Sequence, residues 1–233
     1  MKKIGLIVFI AALIVGVVVS NFFAWGKATG EVFNFSFKIG REKGSGHMAA
    51  EVRDLRDFKS IDVSSVFEVE VIAQNDFHVE VEADDNLLQY IETEVRNGEL
   101  QIRLDKSVKT SNPLRVRISA PSIERIEASG ASKVKISEVK SPQFEVDTSG
   151  ASKIELAGET GELIIDVSGA SNVNAAAFKA ENANVDASGA SRVSVNVANE
   201  LRSEASGASS ISYSGTPVSV QKKTSGASSV TQR

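Results

Sequence analysis

Apolar and polar positions alternate in short runs from Glu51 to the end of the chain, the period of strands that bury one face. Lys59–Val63, Val66–Ile72 and Phe77–Ala83 each read this way. Ile91–Arg96 and Glu99–Leu104 flank Asn97-Gly98, which predicts a hairpin with a type I′ turn. Leu114–Ala120 is a further strand, closed by Pro121. Asp84–Tyr90 reads as one helical turn with an acidic cap.

From Ser129 the alternation acquires a long period. Ser-Gly-Ala-Ser begins at Ser129, Ser149, Ser168, Ser188, Ser206 and Ser225, in steps of 20, 19, 20, 18 and 19 residues. Two residues after each phrase stands Val134, Ile154, Val173, Val193, Ile211 or Val230, and two further on Ile136, Leu156, Ala175, Val195, Tyr213 or Gln232. One such unit cannot bury its apolar face alone, but stacking units about 4.8 Å apart buries all of them. The expected fold is all-β: a right-handed parallel β-helix, or solenoid, with 51–120 as lead-in strands that cap the first coil and 121–233 as the repeats.

The phrase itself suggests its roles. Gly130, Gly150, Gly169, Gly189, Gly207 and Gly226 are expected where the backbone needs positive φ or where coils pass closely. The last Ser shares the inward phase of the aliphatics, so a column of buried hydroxyls is expected to bond along the stack. Asp62–Val71 follows the same grammar, with Ser65 in the place of Gly and Phe67 in the place of Ser, and reads as a degenerate zeroth repeat.

Two outward columns carry charge. One holds Glu127, Asp147, Asp166, Asp186 and Glu204, ending in Lys223. The other holds Lys133, Lys153, Asn172, Arg192, Ser210 and Ser229. Stacked carboxylates are oxygen donors of the kind Ca²⁺ takes, yet the Gly- and Asp-dense nonapeptide of calcium-binding coils is missing, so a solvated face is the expected reading and no metal or cofactor is assigned. His47 and His78 have no partner at metal-ligand spacing. A formal net charge of −4, with no basic block, argues against nucleic-acid binding. The chain has no Cys, hence no disulfide framework and no thiolate chemistry.

Lys2 and Lys3 precede an uncharged run of 23 residues from Ile4 to Gly26, long enough to span a bilayer as a helix. A membrane anchor over 1–26 is expected in preference to a cleaved signal peptide, with the N-terminus in the cytoplasm and the rest exported to the periplasm or outer surface. Residues 27–50 are read as a linker, and Gly44–Gly46 as a flexible tether.

Asp57–Val63, Val81–Leu88, the hairpin Ile91–Leu104 and the run of Ser-Gly-Ala-Ser phrases together resemble the putative auto-transporter adhesin, head GIN domain family (DUF2807). The resemblance covers Asp57 to the C-terminus. It implies a bacterial envelope protein with a parallel β-helix-like domain and brings no catalytic residues. Three functions are weighed. The first is an adhesive or scaffold module that binds a glycan or protein through its side faces. The second is a carbohydrate-active enzyme whose carboxylates would be Asp147 and Asp166, with irregular stretches around Glu138–Pro142 and Glu159–Glu162 walling a groove. The third is an envelope sensor with a membrane partner. The abrupt end at Arg233 leaves an open β-edge through which copies are expected to pair.

Overall fold

The computed structural model describes residues 41–233. The apolar run Ile4–Gly26 lies outside the described residues, among which no helix is long and apolar enough to cross a membrane. Within 41–233 the protein is all-β, with one 3-10 turn at Leu88–Tyr90. The chain opens with β1 (Glu42–Lys43), β2 (Met48–Arg53), β3 (Ser60–Val63), β4 (Phe67–Ala73) and β5 (His78–Asp84). After the 3-10 turn come β6 (Ile91–Arg96), β7 (Glu99–Leu104), β8 (Val108–Lys109), β9 (Leu114–Ala120) and β10 (Arg125–Ala128). Four long strands follow: β11 (Lys133–Thr148), β12 (Lys153–Val167), β13 (Asn172–Ala187) and β14 (Arg192–Ala205). The chain closes with β15 (Ser210–Ser214), β16 (Ser219–Thr224) and β17 (Ser229–Gln232).

Each long strand runs from one Ser-Gly-Ala-Ser to the next and pairs in parallel with its neighbours, so the repeats form a β-solenoid. Its side walls fall on either side of the phrase. The first wall stacks the residues that lead into the phrase: β7, β3, β10, the ends of β11–β14, and β16. The second stacks the residues that follow it: β9, β4, the starts of β11–β14, β15 and β17.

The lead-in region differs from its simple expectation. It supplies two coils of its own, and their order is not that of the sequence. β7 and β9 lie beneath β3 and β4, after which the chain crosses over and β10 continues on the other side of β3. Antiparallel strands then close that end, with β6 on β7, β5 on β9 and β2 on β5. The predicted hairpin is present, with positive φ at Asn97 (52°) and Gly98 (80°) as a type I′ turn requires.

The core is a set of inward columns. Phe144 and Phe178 are fully buried, with ring centroids 5.4 Å apart and planes tilted 55°. The phrase glycines have φ between 72° and 81°. A Cβ on Gly169 would lie 2.4 Å from the Gly150 carbonyl oxygen, because the turns stack backbone on backbone. The stacking is itself hydrogen-bonded: Ala170 N–H donates to Gly150 O at 2.7 Å, and Ala190 to Gly169 O at 2.8 Å.

The final Ser is buried in the first five phrases, with Ser132 and Ser209 each 1% exposed, and half-buried in the sixth, at Ser228. Their hydroxyls do not form a hydroxyl-to-hydroxyl chain. They bond instead to backbone carbonyls: Ser191 to Ser188 O (2.9 Å), and Ser209 to Ser206 O and to Ala187 O of the coil beneath (both 2.9 Å). The carbonyl three residues back is within easy reach of a short hydroxyl and would otherwise be unpaired inside the turn.

The zeroth repeat is real. Ser65 has φ 93°, and its carbonyl accepts from Ala131 N–H at 2.8 Å, the bond that glycines make elsewhere. Phe67, 1% exposed, fills the Ser position. A side chain is tolerated at Ser65 because the coil beneath has no tight turn there: residues 105–113, with β8, form a loop instead.

Two local expectations fail. Gly44–Gly46 is not a tether, since Ser45 N–H donates to Asn86 Oδ1 (2.8 Å) and Asn86 Nδ2 to Lys43 O (2.9 Å). Residues 41–50, read as linker, belong to the same compact unit as the strands that follow. Nor does an acidic side chain cap the helical turn. Asp84 is 1% exposed and accepts from Thr110 Oγ1 and Asn112 Nδ2, both at 2.6 Å, pinning the 105–113 loop.

Candidate functional site: the side walls

Because the strands are parallel and in register, every outward residue sits above its equivalent about 4.8 Å away. On the first wall this produces an acidic ladder. Asp62, Glu127, Asp147, Asp166, Asp186 and Glu204 stand in one column, with Lys223 at its end. The sequence reading named all of these except Asp62. Its signal was available in the zeroth repeat, where Asp62 holds the same place before Ser64-Ser65.

The ladder is only partly neutralised. Arg125, from the neighbouring outward column, reaches Asp147 Oδ2 (2.6 Å), Glu145 Oε1 (2.9 Å) and Glu127 Oε2 (3.4 Å). Lys223 pairs with Glu204 at 2.8 Å, which raises the lysine pKa. Asp147 is held above the ordinary carboxylate range by burial first; Arg125 works against this, and Glu145, Asp166 and Glu127 add to it. Burial also raises Asp186, reinforced by Asp166 and Glu204 and opposed by Lys223. Asp62 is raised by burial and then by Glu127 and Glu99. Between the strand ends of coils holding Glu127, Asp147 and Asp166 lies a shallow depression of about 210 Å³, with Ser149 and Ser168 on its rim.

The second wall solves the same problem differently. Its two outward columns alternate in sign over most of their length: Glu82, Arg115, Glu68, Lys133 in one, where Lys153 then follows Lys133 with like charge, and Glu80, Arg117, Glu70, Lys135, Glu155 in the other. Arg117 bonds Glu80 (2.6 Å) and Glu82 (3.0 Å), Lys133 bonds Glu68 (3.0 Å), and Lys153 bonds Glu155 (2.7 Å). Pairing with Lys133 lowers the Glu68 pKa, and pairing with Lys153 lowers that of Glu155. Glu68, Glu70, Arg115, Arg117, Lys133 and Glu155 line a groove of about 360 Å³. Beyond Lys153 the carboxylates end: Asn172, Asn174, Ser194 and Ser210 face outward, with Arg192 the remaining charge.

The stretches expected to wall a groove are bulges. Glu138 has φ 62° and Gly158 φ 144°, and the register shifts between Ile136 and Val139. Beside them a second depression of about 360 Å³ is lined by Lys140, Ser141, Glu159, Thr160 and Lys179, with Lys140 and Glu159 paired at 2.9 Å. Among the described residues no three His, Asp or Glu side chains converge as a metal ion would need. A ladder strings its carboxylates along a line, so they do not surround a point. His47 lies exposed in the Gly44–His47 turn, and His78 faces outward on β5 opposite Ser119.

Fold and walls define a class: a β-solenoid whose exposed chemistry is periodic and borne on flat sides. The family model for the putative auto-transporter adhesin, head GIN domain, matches residues 57–217, and the chain belongs to that family. A crystal structure of a putative adhesin from Bacteroides fragilis is similar, with a TM-score of 0.69 at 17% identity, over 82% of this chain and 99% of that one. A putative adhesin from Parabacteroides merdae is similar with a TM-score of 0.53 at 16% identity, over 83% and 99% of the two chains. A putative lipid binding protein from Parabacteroides distasonis gives 0.51 at 18%, again over 83% and 99%. At these identities the likeness is one of fold. No curated protein matches the chain.

Proposed function

We propose that this protein is an exported, membrane-anchored solenoid that binds an envelope or surface ligand, a glycan or a protein, along its side walls, and carries out no catalysis. The reading takes the coil as right-handed, the usual sense of parallel β crossovers, and the run Ile4–Gly26 as the anchor, with Lys2 and Lys3 on the cytoplasmic side. Membership of an adhesin-named family supports an exported location.

One observation carries the proposal: outward side chains repeat in register, coil after coil, on a wall whose backbone is fixed by stacked turns. Such a surface is pre-organised for an extended partner and loses little entropy on binding. The test is a binding screen of the full chain in detergent against glycans, cell-wall polymers and envelope protein extracts, with and without Ca²⁺. Saturable binding to one ligand class is expected. Turnover of a polysaccharide, lost in Asp147→Asn or Asp166→Asn, would replace this reading with an enzymatic one.

A further inference from the structure

The antiparallel strands beside the lead-in coils leave two sheet edges, and the two are finished differently. Among the described residues β6 pairs with β7 alone, and β2 with β5 alone. On β6 the outward residues are Glu92, Glu94 and Arg96, opposite Arg103, Gln101 and Glu99 of β7. Charge of that kind guards a sheet edge against a further strand. On β2 the outward residues are apolar. Facing residues of an antiparallel pair share a face, so Ala50 and Val52 stand outward beside Glu82 and Glu80, and Met48 is in phase with them. All three are exposed, Val52 by 60% and Met48 by 38%. The strand has no Lys and no Pro, and its pairing with β5 has no bulge. Its two charges are on the opposite face and pair with each other, Arg53 to Glu51 at 3.1 Å.

The backbone groups available on β2 belong to the same three residues. Asp85 N–H donates to His47 O at 2.9 Å, which makes His47 and Asp85 a hydrogen-bonded pair of the ladder. Bonded and non-bonded pairs alternate along antiparallel strands. Ala49, Glu51 and Arg53 therefore bond to β5, while the N–H and C=O groups of Met48, Ala50 and Val52 point to the open side.

We propose that β2 is a self-association edge, which pairs antiparallel with β2 of a second copy of this chain about a twofold axis at Ala50. In that register Met48 of one copy faces Val52 of the other, and Ala50 faces Ala50. Each facing pair exchanges two backbone hydrogen bonds, because these are the residues whose groups point outward. A twofold contact needs a patch complementary to itself, and this stripe reads the same from either copy. Other registers are poorer. A shift of two residues either sets Glu51 against Glu51, like charges directly opposite, or leaves Val52 outside the pairing. Charge permits the seam. The next outward residues, Glu82 and Glu80, are already held by Arg117 at 3.0 and 2.6 Å, so each copy brings an apolar margin backed by neutralised charge. The second walls of the two copies then join into one continuous sheet. This inference is independent of what the side walls bind.

The chain has no Cys, so Ala50→Cys introduces a single thiol at the twofold axis. The full chain in detergent is treated with a bis-methanethiosulfonate reagent spanning about 5 Å, the separation of facing side chains on paired strands. Ala50→Cys is expected to give covalent dimers. Val66→Cys, at a residue 54% exposed but away from β2, is expected to stay monomeric. Adding Val52→Lys to Ala50→Cys places a charge in the stripe without touching the bonds to β5, and the dimers should be lost. Circular dichroism checks that each variant is folded; should Val52→Lys disturb folding, Met48→Lys carries the same expectation. No cross-link in folded Ala50→Cys, equal cross-linking at Val66→Cys, or a cross-link that survives the added lysine overturns the proposal.

Discussion

The two side walls share one backbone ladder and differ in how they handle charge. The second wall alternates sign up to Lys133 and Glu155, so each of its carboxylates has a cation on an adjacent strand. The first wall stacks carboxylates on carboxylates and admits Arg125 and Lys223 only at intervals. Like charges opposite one another on adjacent strands are destabilising. The repeat therefore tolerates a local cost on one wall that it removes on the other. Self-pairing leaves the second wall electrically quiet, whereas the first projects negative charge along its length. The turns that join the walls are common to both, and they set the scale against which the differences are measured.

The largest effect is expected where both walls meet. Gly169→Val or Gly189→Val places a Cβ about 2.4 Å from a stacked carbonyl oxygen, on a backbone with positive φ. A loss of about 4 kcal/mol is expected in chemical denaturation, with both walls lost together. A loss below about 0.5 kcal/mol would mean that the turn relaxes freely and does not tie the walls together.

Next comes a separation of the walls by pH. Asp62, Asp147 and Asp186 are held above their ordinary value of 3.8, while Glu68 and Glu155 are held below their ordinary 4.5. A carboxyl with a raised folded-state pKa binds its proton more tightly when folded, so the first wall gains stability as pH falls through that value towards 3.8. A carboxyl with a lowered pKa does the reverse, so the second wall loses stability as pH falls below 4.5. Thermal melts from pH 7 down to about 3 should separate these contributions. Changing Asp62, Asp147 and Asp186 to Asn should remove the gain, and changing Glu68 and Glu155 to Gln should lessen the loss. Identical pH profiles for both variants would erase the distinction between the walls.

The smallest effect is at Arg125. Its side chain is 34% exposed, so Arg125→Ala should cost only about 1 kcal/mol in denaturant melts. It should also push the Asp147 carboxyl further up, readable by NMR titration. An unchanged Asp147 titration would show that the arginine does not temper the ladder.

The repeats were legible because their information is local. Alternation sets the inward and outward columns, and Ser-Gly-Ala-Ser encodes a turn that only Gly can make in a stack. The same grammar located Ser65 and Phe67 in the zeroth repeat. The order of the lead-in coils was not legible, because β7 and β9 come to lie under β3 and β4 through pairing between distant segments that share no period. Composition misled at Gly44–Gly46: Gly and Ser read as flexible, but Asn86 supplies hydrogen bonds from far along the chain. The acidic cap expected for Asp84–Tyr90 failed for a similar reason, since the partners that hold Asp84, Thr110 and Asn112, are distant in sequence. The partial neutralisation of the acidic column by Arg125 was not legible, because it depends on neighbouring columns that a single repeat does not show.

The central claim is that the side walls are the working surfaces. It is tested most directly by taking the best ligand from the envelope screen and measuring its affinity for three full-length proteins: the parent, one with Asp147, Asp166 and Asp186 changed to Asn, and one with Arg117, Lys133 and Lys153 changed to Gln. The account predicts that neutralising one wall weakens binding by at least about tenfold, roughly 1.4 kcal/mol, while neutralising the other leaves it unchanged. Equal affinity in all three folded proteins, or no ligand at all, would contradict it.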